Sequence, residues 1–275
     1  MNQQAGARQT GFTLVEVLVV VVIISLLIGL ATPALVIALR KTEVATMRIE
    51  LSLVEQALEA YRSEYGEYPP DFTNHQYVID HLNRLFPRRR EYTSTGDLPL
   101  LDPAQALVFW LRGFHPSPEY PITGDTTGNA DPINGAIHTE REPLMEFSEK
   151  MILGDDFNLA TPGEVLVLTR APMCPIVYFD SRGNYLSEPT IPKQLRVSDN
   201  GVEKGTAMPY MSDRSDRFMN PKTFQLISAG QDSHFGNYNE NPKWYPSGNN
   251  YDDYDADNLT NFSSGTLGED KDSQP

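Results

Sequence analysis

The chain has 275 residues, 40% of them hydrophobic and 10% aromatic, with a formal net charge of −15. That composition supports one substantial folded domain and excludes a wholly disordered chain. The acidic balance argues against nucleic acid as the main partner, since a phosphate-backbone binder needs a Lys/Arg surface, and the one dense basic run, Arg88-Arg89-Arg90, reads as a solvated loop.

Residues 1–11 are polar and carry one positive charge, Arg8. Phe12-Thr13-Leu14-Val15-Glu16 follow, and then Val17 to Leu39, 23 residues without a charge. As a helix this run is about 35 Å long at ~1.5 Å per residue, enough to cross a hydrocarbon core of roughly 30 Å. A secretory signal places a small-residue cleavage site after its apolar core; here Leu39-Arg40-Lys41 leads straight into a polar helical pattern, so the segment is expected to persist as a membrane helix. Glu16 stands near the start of that helix, where a carboxylate either marks the headgroup boundary or has a charged partner. Pro33 lies inside the run, where a proline removes a backbone hydrogen bond and can kink or locally melt a helix, with Gly29 and Thr32 beside it.

Val44, Met47, Leu51, Val54, Leu58, Tyr61 and Tyr65 are spaced alternately by three and four residues, a stripe on one face of a helix that continues from 40 to 66. Gly66 and Pro69-Pro70 end it. Residues 71–160 are rich in turn formers and read as an insertion, with one short helix from Pro103 to Gly113. Strands are expected over 164–169, 175–180, 184–187 and 223–228, with Ser181-Arg182-Gly183 as a hairpin turn. An antiparallel sheet covering the helix is the economical arrangement, an α+β domain over 67–262 followed by a flexible tail, 263–275. The single cysteine, Cys174, rules out an intramolecular disulfide and reads as a small buried hydrophobe. The five histidines are scattered without ligand spacing, and neither a phosphate loop nor a nucleophile motif is present, so no catalysis is expected.

Gly11-Phe12-Thr13-Leu14-Val15-Glu16 and the apolar run after it resemble the type IV prepilin signature. Residues 56–69, with their Gly-x-Tyr-Pro turn, resemble the end of the long helix in the major pseudopilin of type II secretion systems. Two later segments resemble that subfamily's last strand and its closing loop: Phe224 to Asp232, which contains Ser-x-Gly-x-Asp, and Asp255 to Phe262. The resemblance implies a pilin-like fold and a peptidase cut between Gly11 and Phe12, with N-methylation of Phe12. It also implies that Glu16 of one subunit neutralises the Phe12 amine of its neighbour, and that Pro33 occupies the family's proline position. The family's C-terminal loop binds calcium, which would nominate Asp232, Asp255 and Asp257. Two departures stand against that transfer: the loop from Asp232 to Asp255 is long, and Asn258 precedes Leu259 where the acidic residue usually adjoins the aliphatic one. The alternating Asp253, Asp255 and Asp257 are not an EF-hand, since Asn258 and Ser264 occupy the positions that need Gly and Glu. A solvated acidic tail is the other reading of this stretch.

The implied partners are other pseudopilins, the prepilin peptidase, the inner-membrane secretion platform and the membrane, with no nucleic acid. The family places the leader in the cytoplasm and the large domain in the periplasm. Arg40, Lys41 and Arg48 after the span, against Arg8 before it, would argue the opposite orientation, but the cleavage motif is the more specific signal. The alternatives are a type IV pilin or minor pilin acting in adhesion or DNA uptake, and a membrane-anchored periplasmic enzyme.

Overall fold

The computed structural model describes residues 13–124, 141–154, 164–188, 191–199, 201–215, 217–238 and 241–274. It divides into two compact units, Met1–Glu43 and Val44–Pro275. Helix α1 (Leu14–Tyr65) begins in the first and ends in the second. In the first unit residues 13–42 are all exposed. Its helix is long and apolar enough to cross a membrane. Pro33 lies inside the helix, which is not interrupted there. Thr32 donates its hydroxyl to Ile28 O at 2.8 Å, as Ser25 does to Val21 O at 2.7 Å. Hydroxyls tied back to the helix leave no unpaired polar group to face an apolar surrounding.

In the second unit the stripe at the end of α1 is the spine of the core. Met47, Val54, Leu58 and Tyr61 are fully buried and Leu51 nearly so, with Val44 and Tyr65 packed at the margin. Gly66 closes the helix at φ +86°, its N–H on Arg62 O at 2.8 Å. The carbonyls of Tyr68, Pro69 and Pro70 are each capped by a buried or half-buried side chain. Arg182 donates to Tyr68 O at 2.6 Å, Tyr178 to Pro69 O at 2.7 Å and Trp110 Nε1 to Pro70 O at 2.8 Å. A buried turn must pair its polar backbone, and side chains from distant segments do so here.

Residues 71–124 and 141–154 differ from the expected irregular insertion. They carry α2 (His75–Leu85), capped by Asn74, and α3 (Gln105–Leu111), whose first N–H groups bond Asp102 Oδ1. Both helices pack into the same cluster as α1, through Val78, Ile79 and Leu82 and through Leu107, Trp110 and Leu111. The α3 region matches the helix expected over 103–113; α2 was legible as Val78, Ile79 and Leu82 behind an Asn cap but was read as loop. Residues 125–140 and 155–160 of the expected insertion lie outside the described residues.

The strands then follow: β1 (Ile152–Leu153), β2 (Val165–Leu168), β3 (Ala171–Pro175), β4 (Val177–Asp180), β5 (Leu186–Glu188), β6 (Ile191–Pro192), β7 (Leu195–Asp199), β8 (Val202–Ala207), β9 (Met211–Ser212), β10 (Arg217–Phe218), β11 (Phe224–Ser228), β12 (Trp244–Tyr245) and β13 (Leu259–Thr260). Three antiparallel strands in the order β13-β11-β4 form one sheet. One face, with Tyr178, Phe224 and Leu226, joins the α1 cluster; the other, with Val177, Phe179 and Ile227, packs on Leu195, Val197, Ala207 and Tyr210. Burial on both faces explains why these strands read as nearly continuous apolar runs.

The expected hairpin at 181–183 is corrected. β4 pairs with β11, a distant segment of the chain, and the chain turns through Gly183 and Asn184 at positive φ before β5 pairs with β6. The expected flexible tail is also different. Residues 267–272 form α4 (Leu267–Asp272), with a Thr266/Glu269 capping box and Leu267 fully buried. Arg48 holds this end, donating to Ser263 O at 2.6 Å and Gly265 O at 3.0 Å.

Candidate functional site

Two parts of the chain carry the expected functional residues. At the N-terminus, Gly11 and Phe12 lie outside the described residues. Glu16 is described and has a partner within the chain. Its Oε2 accepts from Thr13 N at 2.8 Å and from Thr13 Oγ1 at 2.9 Å, and its own N–H bonds Thr13 Oγ1 at 3.2 Å. This is a reciprocal capping box, Thr-x-x-Glu, and it starts α1 immediately after Phe12. The carboxylate also sits at the positive end of the helix dipole, which favours it there. The sequence carries that cap signature in Thr13 and Glu16, three residues apart.

At the other end, β11 delivers the chain into the long loop that returns through β13. Gly230 takes φ +66°, and a Cβ there would collide with the backbone carbonyl of Asp257. That close approach brings Asp232 and Asp257 together: Asp232 N donates to Asp257 Oδ2 at 2.8 Å, and Asp232 Oδ1 accepts from His234 N at 2.7 Å. Burial and the neighbouring Asp257 charge push Asp232 up to about 7. Burial also raises Asp257, against hydrogen bonds from the Asp232 and Gln231 backbone. Asp257 Oδ1 is buried without a partner.

Asp255 is not part of that pair. It is fully buried, and its Oδ1 receives Lys243 Nζ at 2.6 Å and Tyr210 OH at 3.2 Å, while its Oδ2 accepts from Asp252 N at 2.9 Å. Lys243 is itself 1% exposed and also donates to Phe235 O at 3.2 Å. Calcium takes six to eight oxygen ligands. Of the three carboxylates expected to supply them, two meet and the third is bound to an ammonium. Among the described residues no group of three or more His, Cys, Asp or Glu is placed to hold a metal ion. Asp255 is taken up by Lys243, a partner that sequence reading missed because a loop lysine is ordinarily solvated, while Asp232 and Asp257 meet and leave Asp257 Oδ1 buried and unpartnered.

Cys174 is buried, as expected, with its thiol on Ser233 O; burial pushes it up to about 12, out of the reactive range.

Comparison with known proteins locates these features. The prokaryotic N-terminal methylation motif matches residues 6–32. The type II secretion system core protein G of Pectobacterium carotovorum subsp. carotovorum is 36% identical over 138 residues, which cover 46% of this chain and 87% of that protein. No solved structure matches the chain.

Proposed function

The chain belongs to the family of the type II secretion system core protein G, the major pseudopilin, and on that premise we propose that it is a structural subunit of a periplasmic pseudopilus serving type II protein secretion. One observation carries the reading. The methylation motif leads without a break into a 52-residue helix that exposes every side chain from Leu14 to Leu39 and buries one face of its last turns in a folded domain. An apolar helix exposed all round needs lipid while the subunit is stored, and neighbouring helices once it is assembled.

In this reading the role is mechanical and not catalytic. The prepilin peptidase cuts between Gly11 and Phe12 and the Phe12 amine is methylated. The helix holds the subunit in the inner membrane as a single span, with the leader in the cytoplasm and Val44–Pro275 in the periplasm. The assembly platform then draws it into a fibre of pseudopilins. Thr13 holds the Glu16 carboxylate at the head of the helix, beside the place where the new amine of a neighbouring subunit would dock. The net charge of −15 weighs against nucleic acid as a partner.

Intact-mass measurement tests the processing. Cells with the peptidase should yield a 264-residue chain, the 275 less the leader of 11, carrying one extra methyl on Phe12. Cells without it should yield the full chain. A full-length chain in both would refute the reading, as would normal secretion after deletion of the gene.

A further inference from the structure

We propose that Lys193 and Asp71 condense into an intramolecular amide, with Asp180 carrying a proton between them, so that the chain cross-links itself. The three side chains come from distant segments: Asp71 from the turn after α1, Asp180 from the end of β4, and Lys193 from the residue after β6. Each residue is 1% exposed. Lys193 Nζ spends its three donors on Asp71 Oδ2 at 2.7 Å, Asp180 O at 2.9 Å and Asp180 Oδ1 at 3.2 Å. Its backbone is pinned as well, Lys193 N donating to Tyr185 O at 2.9 Å. The structure thus holds the ion pair that precedes the bond. An amine fixed against a carboxyl in one orientation reacts without the entropy cost of encounter.

The surroundings favour the neutral pair that the reaction needs. Burial and the Asp180 charge raise Asp71 to about 6 with the ammonium already opposing them. A buried site disfavours both charges, so a proton passing along the 2.7 Å contact to Asp71 Oδ2 gives a free amine and a carboxylic acid. Asp71 Oδ1 receives Thr73 N at 3.0 Å and Thr73 Oγ1 at 2.6 Å, two donors placed where negative charge develops as Nζ adds to Cγ. Asp180 Oδ1 then takes a second proton from the nitrogen and passes it to Asp71 Oδ2; the Cγ–Oδ2 bond breaks and Oδ2 leaves as water. One ammonium and one carboxylate become one amide and one water, with no oxidant or cofactor. Two buried charges are lost, and with them their desolvation cost. Asp180 ends as it began, a carboxylate, and keeps Arg182 Nη1 at 3.4 Å and Arg182 N at 2.6 Å. Phe72, next to Asp71, is buried against Phe109 and Trp110, so water has poor access to hydrolyse the product.

Mass spectrometry of the purified full chain in detergent is the test. The wild type should be lighter than its processed sequence by the mass of one water. Tryptic digestion should give a branched peptide joining 63–84 to 183–196, with fragment ions placing the link at Asp71 and Lys193. Leader removal and methylation alter only the N-terminal peptide, so the cross-link and the pseudopilin reading can fail separately. Lys193→Arg keeps the charge without the primary amine and should show the full sequence mass and an unlinked 63–84 peptide. Asp180→Asn removes the proton carrier and should leave most of the chain unlinked. The wild-type measurement decides the matter even if a variant folds poorly. A wild-type chain that keeps its full mass through prolonged incubation at neutral pH overturns the proposal, and so does a link at any acid other than Asp71.

Discussion

Lys193 Nζ lies 2.7 Å from Asp71 Oδ2, and both side chains are all but fully buried. The same ammonium reaches Asp180 Oδ1 at 3.2 Å, and the two aspartates exchange backbone bonds, Asp71 N to Asp180 Oδ2 and Asp180 N to Asp71 Oδ2. This triad locks the proline turn after α1 to the end of β4. Burial and the Asp180 charge push Asp71 up to about 6 even with the lysine opposing them. Removal of the lysine would leave two facing buried carboxylates. Lys193→Met should therefore cost on the order of 3–5 kcal/mol, measured by urea unfolding at neutral pH, and addition of Asp71→Asn should return part of it. A loss within experimental error would mean the triad is relaxed by water.

Glu67 gives the pH dependence. Burial alone would raise its carboxyl, but hydrogen bonds from His81 and Arg84 and the charge of Arg182 outweigh that and bring it to about 2. Burial holds His81 below its usual range, so the imidazole is neutral at pH 7 and donates from Nδ1 to Glu67 while Nε2 accepts from Tyr61 OH. A folded pKa below the unfolded 4.5 means that Glu67 contributes fully above about pH 4.5 and loses that contribution as pH falls towards 2. Glu67→Gln should be less stable than the wild type at pH 6, with the difference narrowing below pH 4.5. A constant difference across that window would show that the charge is not responsible.

Glu16 separates processing from assembly. Glu16→Ala removes the carboxylate that accepts from Thr13 N and Thr13 Oγ1 and that would meet a neighbour's amine, while the backbone N–H of residue 16 can still bond Thr13 Oγ1. The expected outcome is normal cleavage by mass spectrometry with fibre yield cut at least tenfold. Glu16→Gln keeps the capping geometry without the charge. If it assembles normally, the cap and not the ion pair is what assembly needs.

Gly230 sets the geometry of the C-terminal loop. Its φ of +66° and its contact with Asp257 O leave no room for a Cβ. Gly230→Ala should cost roughly 2–4 kcal/mol, strain and overpacking together. Limited proteolysis should show the first cuts between 229 and 258. Protection equal to the wild type would show that the turn can relax.

The N-terminal helix of this protein was legible residue by residue because its determinants are local. Twenty-three uncharged residues specify a membrane-length helix, and the stripe from Val44 to Tyr65 specifies the buried face, since both follow from helical period alone. Strand β11 was equally plain, a short apolar run ending at a Ser-x-Gly turn. What the sequence alone could not decide was partnership. The β4 strand joins β11, a distant segment, and not its neighbour in the chain; α4 docks where a loose tail was expected; and Lys193 and Lys243, ordinary loop lysines on paper, are buried cations closing two acidic clusters. Each depends on which distant groups share a low-dielectric space, and that is set by tertiary packing, which no local pattern encodes.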